Sequence, residues 1–374
     1  MIDNMKYLYL DFETYYDSDY SLRKIPTPNY ILDPRWETIL CAVKEDDNPS
    51  FIVDGPDFGK FIKQYNPENT VTVTFNALFD NSILAWRYGF IPKLMLDPMN
   101  MARALYGHKL PSLSLANLAE FFKLGSKKKT IAKVSGMHRE QIMQAGLWSE
   151  FCDYANIDNE LSAGIFKILD LNFPESERRV MDLVIRCTVD PKFHIDRTLL
   201  CDHIETVQAN KAKLLKDVGV GVEHLMSSAK FCGLLRERGV TITYKISKAT
   251  GKSIPAIAKT DDFMNELQEH EDVQVQALAA ARVGHKSTLE ETRSLKLLSI
   301  ASLPWEHFRP GNFASMPIPM RYGAAHTHRL GGEWKINMQN MPRGGNLRKS
   351  LVAPPGYAVV VADLGQIEAR LTAW

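Results

Sequence analysis

Five side chains in the first half of the chain have the types and spacing for phosphodiester chemistry: Asp11, Glu13, Asp80, Tyr154 and Asp158. Hydrolysing a phosphodiester by a two-metal route needs several carboxylates converging on ions about 4 Å apart, one activating water and the other steadying the leaving oxygen. Hard divalent ions such as Mg²⁺ take oxygen ligands, which favours Asp and Glu over His or Cys. Asp11 and Glu13 are two apart at the end of an apolar run beginning at Tyr7, so on a strand they project from one face and can serve the same ions. Asp80 follows the run Val71–Phe75 and opens a helical pattern, where its bland alternative is to cap the helix N-terminus. Tyr154 and Asp158 are four apart inside another helical pattern, which puts phenol and carboxylate on one face, though such a pair is also ordinary helix surface. Each piece alone has a structural reading. The set is specific because strand, helix-start and helix-face requirements are met together.

The elements that must position these groups follow from periodicity. Tyr7–Glu13, Thr38–Val43, Ser50–Val53 and Val71–Phe75 read as short strands bounded by turn residues. Phe58–Tyr65, Ser82–Tyr88, Leu113–Phe122 and Glu150–Leu171 have helical spacing, so the first half is expected to be an α/β sheet domain. After a further helix, Glu175–Cys187, the character changes. Thr198–Leu215, Ser227–Glu237, Thr260–Glu269 and Val273–Ser299 are helical patterns with almost no strand between them. From Leu303 to Asn346 the sequence is irregular and rich in Gly, Pro, Asn and Arg. It closes with Tyr357–Asp363, which reads as a strand with a carboxylate at its tip, and Ile367–Trp374, which reads as the first turns of a helix.

A length of 374 residues exceeds what one ordinary core holds, so two or three units are expected. The 45% hydrophobic and 24% charged composition is that of a soluble globular protein, and no apolar run approaches the roughly 20 residues needed to span a bilayer. The N-terminus lacks the basic start and long apolar stretch of a secretory signal, so the expected location is the cytoplasm, with no membrane partner. Cys41, Cys152, Cys187, Cys201 and Cys232 are scattered and never form a CxxC pair, which argues against a disulfide framework and against zinc. The net charge of +1 hides an asymmetry: residues 1–190 hold 21 Lys/Arg against 26 Asp/Glu, and residues 191–374 hold 24 against 18. An acidic front suits a carboxylate metal site and a basic rear suits phosphate contact; chance variation between two solvated halves accounts for it equally well.

Asp11–Phe12–Glu13–Thr14, Phe75–Asn76–Ala77–Leu78–Phe79–Asp80 and Tyr154–Ala155–Asn156–Ile157–Asp158 resemble the three exonuclease motifs of the DEDD superfamily, in the subgroup whose third motif carries Tyr. The resemblance implies a ribonuclease H-like 3′–5′ exonuclease in which Asp11, Glu13, Asp80 and Asp158 hold two Mg²⁺ ions, with Mn²⁺ as a substitute, and Tyr154 orients the attacking water. The stretch Asp97–Ala104 followed by Ser112–Ala119 resembles the phage-type version, where it shapes the channel for a single-stranded 3′ end; Leu78 and Phe79 are candidates to wedge or stack on terminal bases, with packing in the core as the alternative for each. In the second half, Arg321–Arg329, Asn337–Arg343 and Ala362–Arg370 are similar to consecutive blocks of family A DNA polymerases. That resemblance makes residues 1–190 the exonuclease domain, 191–302 an α-helical thumb and 303–374 the start of an α+β palm. It implies that Asp363 is a polymerase metal ligand and Glu368 the steric gate against ribonucleotides. Arg282, Lys286, Ser287 and Arg329 become candidate DNA contacts, a solvated helix face being the alternative for the first three, and Gln339, Asn340 and Arg343 follow the minor groove of a primer–template duplex. The second palm carboxylate and the fingers of that family have no counterpart in the sequence, so excision is expected from this chain and synthesis only on completion.

Two other readings stay open at this level. One is a self-sufficient exonuclease resembling ribonuclease D, whose second half grips RNA or DNA. The other is a non-catalytic DNA-binding subunit completed by a second polypeptide carrying the remaining polymerase motifs; the apolar Val359–Val361 and Leu371–Trp374 segments would then be edges wanting cover.

Overall fold

The computed structural model describes residues 5–126, 133–286, 289–305, 315–325, 327–334, 336–341, 344–363 and 365–374. The chain is mixed α/β and divides into two compact units, one formed by residues 1–195, 299–343 and 351–374 and the other by 196–298 with 344–350.

The first unit is built on a five-stranded sheet. Its strands are β1 (Lys6–Thr14), β2 (Thr38–Glu45), β3 (Phe51–Asp54), β4 (Thr70–Val73) and β5 (Leu94–Leu96), in the order β3-β2-β1-β4-β5. β1 pairs antiparallel with β2 and parallel with β4, so it is the central strand, and Tyr7–Leu10 are buried as both faces of a central strand must be. The helices here are α1 (Thr27–Ile31), α2 (Gly55–Ile62), α3 (Ala77–Tyr88), α4 (Pro98–Tyr106), α5 (Leu115–Phe121), α6 (Arg139–Gln144), α7 (Trp148–Asp170) and α8 (Glu175–Val189).

Alternation along β1 assigns its two faces. Tyr7 and Tyr9 meet the Phe166 ring of α7 at centroid distances of 6.2 and 5.8 Å, whereas Phe12 meets Phe58 of α2 at 4.7 Å and Tyr88 of α3 at 6.2 Å. The period of two therefore puts Asp11 and Glu13 on the α7 face. α7 runs opposite to β1: Phe166 lies over Tyr7, Asn159 Nδ2 donates to the Tyr9 carbonyl at 3.2 Å, and the earlier turns reach toward Glu13. The lengths agree, since Tyr154 to Phe166 climbs about 18 Å while Tyr7 to Glu13 covers about 20 Å.

The second unit is mainly helical: α9 (Arg197–Val218), α10 (Val222–Met226), α11 (Ser228–Glu237), α12 (Asp262–Gln268), α13 (Val273–Lys286) and most of α14 (Leu289–Ala301), with one hairpin of Tyr244–Ile246 against Ser253–Pro255. Phe231, Leu235, Met264, Leu267, Val275 and Leu278 form its own apolar core.

Three expectations from periodicity need correction. The pattern Val273–Ser299 forms two helices, α13 and α14. β5 is a strand with no counterpart among the expected ones. The described residues of Tyr357–Asp363 form no strand: the run is exposed, Val360 at 89% and Val361 at 85%, and a strand exists only where a ladder partner satisfies its backbone.

Candidate active site

Three elements deliver the five singled-out residues. Parallel pairing of β1 with β4 ends at Tyr9 opposite Val73, while antiparallel pairing with β2 continues through Asp11 opposite Ala42 and Glu13 opposite Leu40. The two half-buried carboxylates thus stand beyond the last rung of the parallel ladder, past the carboxyl end of β4, where α/β sheets open a crevice.

Asp80 enters from the other side of that gap. The chain leaves β4 through Asn76, in the left-handed region at φ 69°, and turns directly into α3, which puts Asp80 in the first turn. Its Oδ1 accepts the Phe12 backbone N–H at 3.1 Å, supplying a tertiary bond to β1 beyond the rungs formed with β4. Asp80 is therefore not the helix cap. The cap position belongs to Asn76, and the carboxylate that secures this end of α3 is Asp97, which accepts from Asn76 N at 3.2 Å and Ala77 N at 3.1 Å as well as from Met99 N at 2.9 Å. Asn81 completes the anchor, accepting from Thr72 Oγ1 at 2.7 Å and donating to Thr74 Oγ1 at 3.1 Å and the Ala77 carbonyl at 3.0 Å. Asp97 and Asn81 are the positioning residues that local sequence patterns do not reveal, because their partners are set by the strand-to-helix turn.

α7 brings Tyr154 and Asp158, both buried, with the phenol hydrogen-bonded to Asp158. Burial first, then the Glu13 charge, then the Asp158 bond push the Tyr154 phenol well above its ordinary range, so it stays protonated. Burial, followed by the Asp11 charge, holds the Asp80 carboxyl well above the usual carboxylate range against the opposing Phe12 N–H bond. The buried Cys41 thiol on β2 is raised by burial and then by Asp80 and Asp11. These mutual influences place Asp11, Glu13, Asp80, Tyr154 and Asp158 in one electrostatic neighbourhood. The donor set is all oxygen and mutually repelling, which fits a hard divalent cation. Among the described residues no three His, Cys, Asp or Glu side chains stand in a geometry that could hold a metal ion.

A groove of about 700 Å³ opens beside Glu13 and Phe12, lined also by Tyr16, Arg23, Lys24 and Phe79. Phe79 is half-buried on its wall, and Leu78 lines a neighbouring groove.

The residues expected to touch DNA divide differently. Arg282 is 1% exposed and its guanidinium is committed within the second unit: it donates to the carbonyls of Leu225 and Ile257 and to Ser228 Oγ at 3.2 Å, and lies over the Phe231 ring at 4.4 Å. An interior residue so held is unavailable to phosphate, so its expected role is corrected to a structural one. Lys286, Arg329, Gln339, Asn340 and Asp363 are exposed. Ser287 and Arg343 lie outside the described residues; Glu368 falls within the helix Ile367–Ala373, with its side chain outside the described set.

No family model matches the chain, and no curated protein does. Among solved structures, the POL domain of Pol1 from M. smegmatis, in complex with DNA primer-template and dNTP, matches with a TM-score of 0.55 at 15% identity, covering 86% of this chain and 53% of that one. The chain thus spans about half the length of that polymerase chain and shares its fold over most of its own. Brucella melitensis NrnC with bound Mg²⁺ matches at a TM-score of 0.35 and 16% identity, covering 49% of this chain and 84% of that one.

Proposed function

We propose that this chain is the exonuclease-bearing portion of a family A-like, phage-type DNA polymerase, removing nucleotides as 5′-monophosphates from a single-stranded 3′ end as a proofreading step of DNA replication. The observation that carries the reading is the delivery of Asp11 and Glu13 by β1, Asp80 by α3 and Tyr154 with Asp158 by α7 to the same end of one sheet. The fold shared with a polymerase domain over most of the chain is what this assignment needs. Residues 1–190 are then the ribonuclease H-like exonuclease, 191–302 the thumb and 303–374 the beginning of the palm, with Asp363 as its metal ligand and Glu368 as its steric gate.

Two Mg²⁺ ions held by Asp11, Glu13, Asp80 and Asp158 would supply the positive charge that activates the attacking water and stabilises the departing oxygen. The protein's own groups do the positioning. The Phe12 N–H fixes the Asp80 carboxylate, and α7 fixes Asp158 against Tyr154. The protonated Tyr154 is a hydrogen-bond donor and not a base. Arg23 and Lys24 on the adjoining groove offer positive charge to a phosphate backbone.

The test uses the full chain with a 5′-labelled single-stranded oligonucleotide. Mg²⁺-dependent shortening from the 3′ end with release of 5′-monophosphates is expected, reduced about 10³-fold or more by Asp11→Ala. An inactive wild-type chain, or an Asp11→Ala chain as active as wild type, refutes the reading.

A further inference from the structure

The groove beside Glu13 has a neighbour. A second groove of about 470 Å³ is lined by Asn76, Leu78, Arg321, Glu333 and Trp334, and the two share Leu22 and Phe79 as their common wall. Both fall within the range of roughly 300–1,000 Å³ that ligand-sized pockets occupy. The second groove joins α3, which carries Asp80, to a segment far along the sequence. Trp334 sits at the corner of a tight turn closed by Ile336 N donating to the Glu333 carbonyl at 2.8 Å. It takes a φ of 52°, a conformation a bulky residue rarely adopts. Its ring is backed by the fully buried Trp86, at a centroid distance of 6.4 Å and an interplanar angle of 72°. Trp86 is itself fixed, its Nε1 donating to the Val189 carbonyl at 2.9 Å. An indole so braced and lining an open groove is a preorganised stacking surface.

We propose that the two grooves form one track for a single strand of nucleic acid: the terminal nucleotide lies beside Glu13, and the next base passes the Leu22–Phe79 wall to stack on Trp334. Stacking suits the site because every base has a π-face, so the grip is independent of sequence. The placement of the terminal nucleotide rests on the exonuclease reading; the Trp334 subsite rests on the grooves.

The test measures binding and not hydrolysis. The full chain is titrated, in chelator without metal, with tetrathymidylate and with the same oligonucleotide made abasic at the penultimate position. Wild type is expected to bind the abasic strand roughly tenfold to hundredfold more weakly. Trp334→Ala should bind both strands with equal, weakened affinity, while Trp334→Phe should recover most of the discrimination, which a merely structural role would not predict. If wild type binds neither strand or does not distinguish them, or if Trp334→Ala keeps the wild-type preference, the track is wrong. Base discrimination by a chain that hydrolyses nothing would remove the exonuclease reading and leave the Trp334 subsite standing.

Discussion

Tyr154 shows how one residue's role follows from where its helix is pinned. Asn159 and Phe166 fix α7 against β1, so the phenol arrives beside Glu13 and is hydrogen-bonded to Asp158. Burial keeps it protonated. On the proposed exonuclease reading its contribution is to orient the attacking water, and misplacing a reactant by about 1 Å can cost some 10²-fold. Tyr154→Phe keeps the ring that stacks near Phe151, at a centroid distance of 6.4 Å, and deletes only the hydroxyl. The expected outcome is a fall in kcat of about 10²-fold with little change in KM. Steady-state kinetics on a short single-stranded substrate decides it: a loss confined to KM would make Tyr154 a binding residue. At this scale the sequence was informative wherever spacing alone sets direction, as for Asp11 with Glu13 and Tyr154 with Asp158. It was uninformative for Arg282, whose type suits a phosphate contact and an interior bond to carbonyls equally well.

At the scale of elements, the turn from β4 into α3 carries the most risk. Asp97 is 1% exposed and accepts from three backbone N–H groups, those of Asn76, Ala77 and Met99. Two effects oppose each other there. Burial raises the Asp97 carboxyl above its ordinary range, and its charge works against that of Asp80, so deleting it relieves repulsion. Deletion also leaves three donors without their acceptor, each costing about 1–3 kcal/mol when buried. The second effect is larger, so Asp97→Ala is expected to lose roughly 2–4 kcal/mol in urea denaturation. If the proposed exonuclease reading holds, it should also lower hydrolysis of a single-stranded substrate well below the melting range, because Asp80 rides on the same turn. A more stable Asp97→Ala protein would show that repulsion dominates. The elements that the sequence revealed are those whose pattern is long: β1 and β2, and α7 through α9. β5 is only Leu94–Leu96, too short for a period, between Pro92 and Pro98. Tyr357–Asp363 failed for the opposite reason. Its β-branched residues have the propensity, but a strand is a property of a pair.

The molecule as a whole holds two cores that different probes can see separately. All six tryptophans, at positions 36, 86, 148, 305, 334 and 374, belong to the unit with the sheet, and residues 196–298 and 344–350 contain none. Tryptophan fluorescence therefore reports one unit, while far-ultraviolet circular dichroism reports the helices of both. Arg282 allows the distinction to be tested, because it ties the end of α10 at Leu225, the start of α11 at Ser228 and the segment at Ile257 around the second core. Removing a buried, charged donor with three acceptors should cost on the order of 3 kcal/mol. Arg282→Ala is expected to bring forward a dichroism transition while the fluorescence transition and the hydrolysis of a short single-stranded substrate keep their wild-type values. If the two transitions move together, the cores unfold as one cooperative block. If neither moves, the Arg282 bonds contribute little to the stability of the second core.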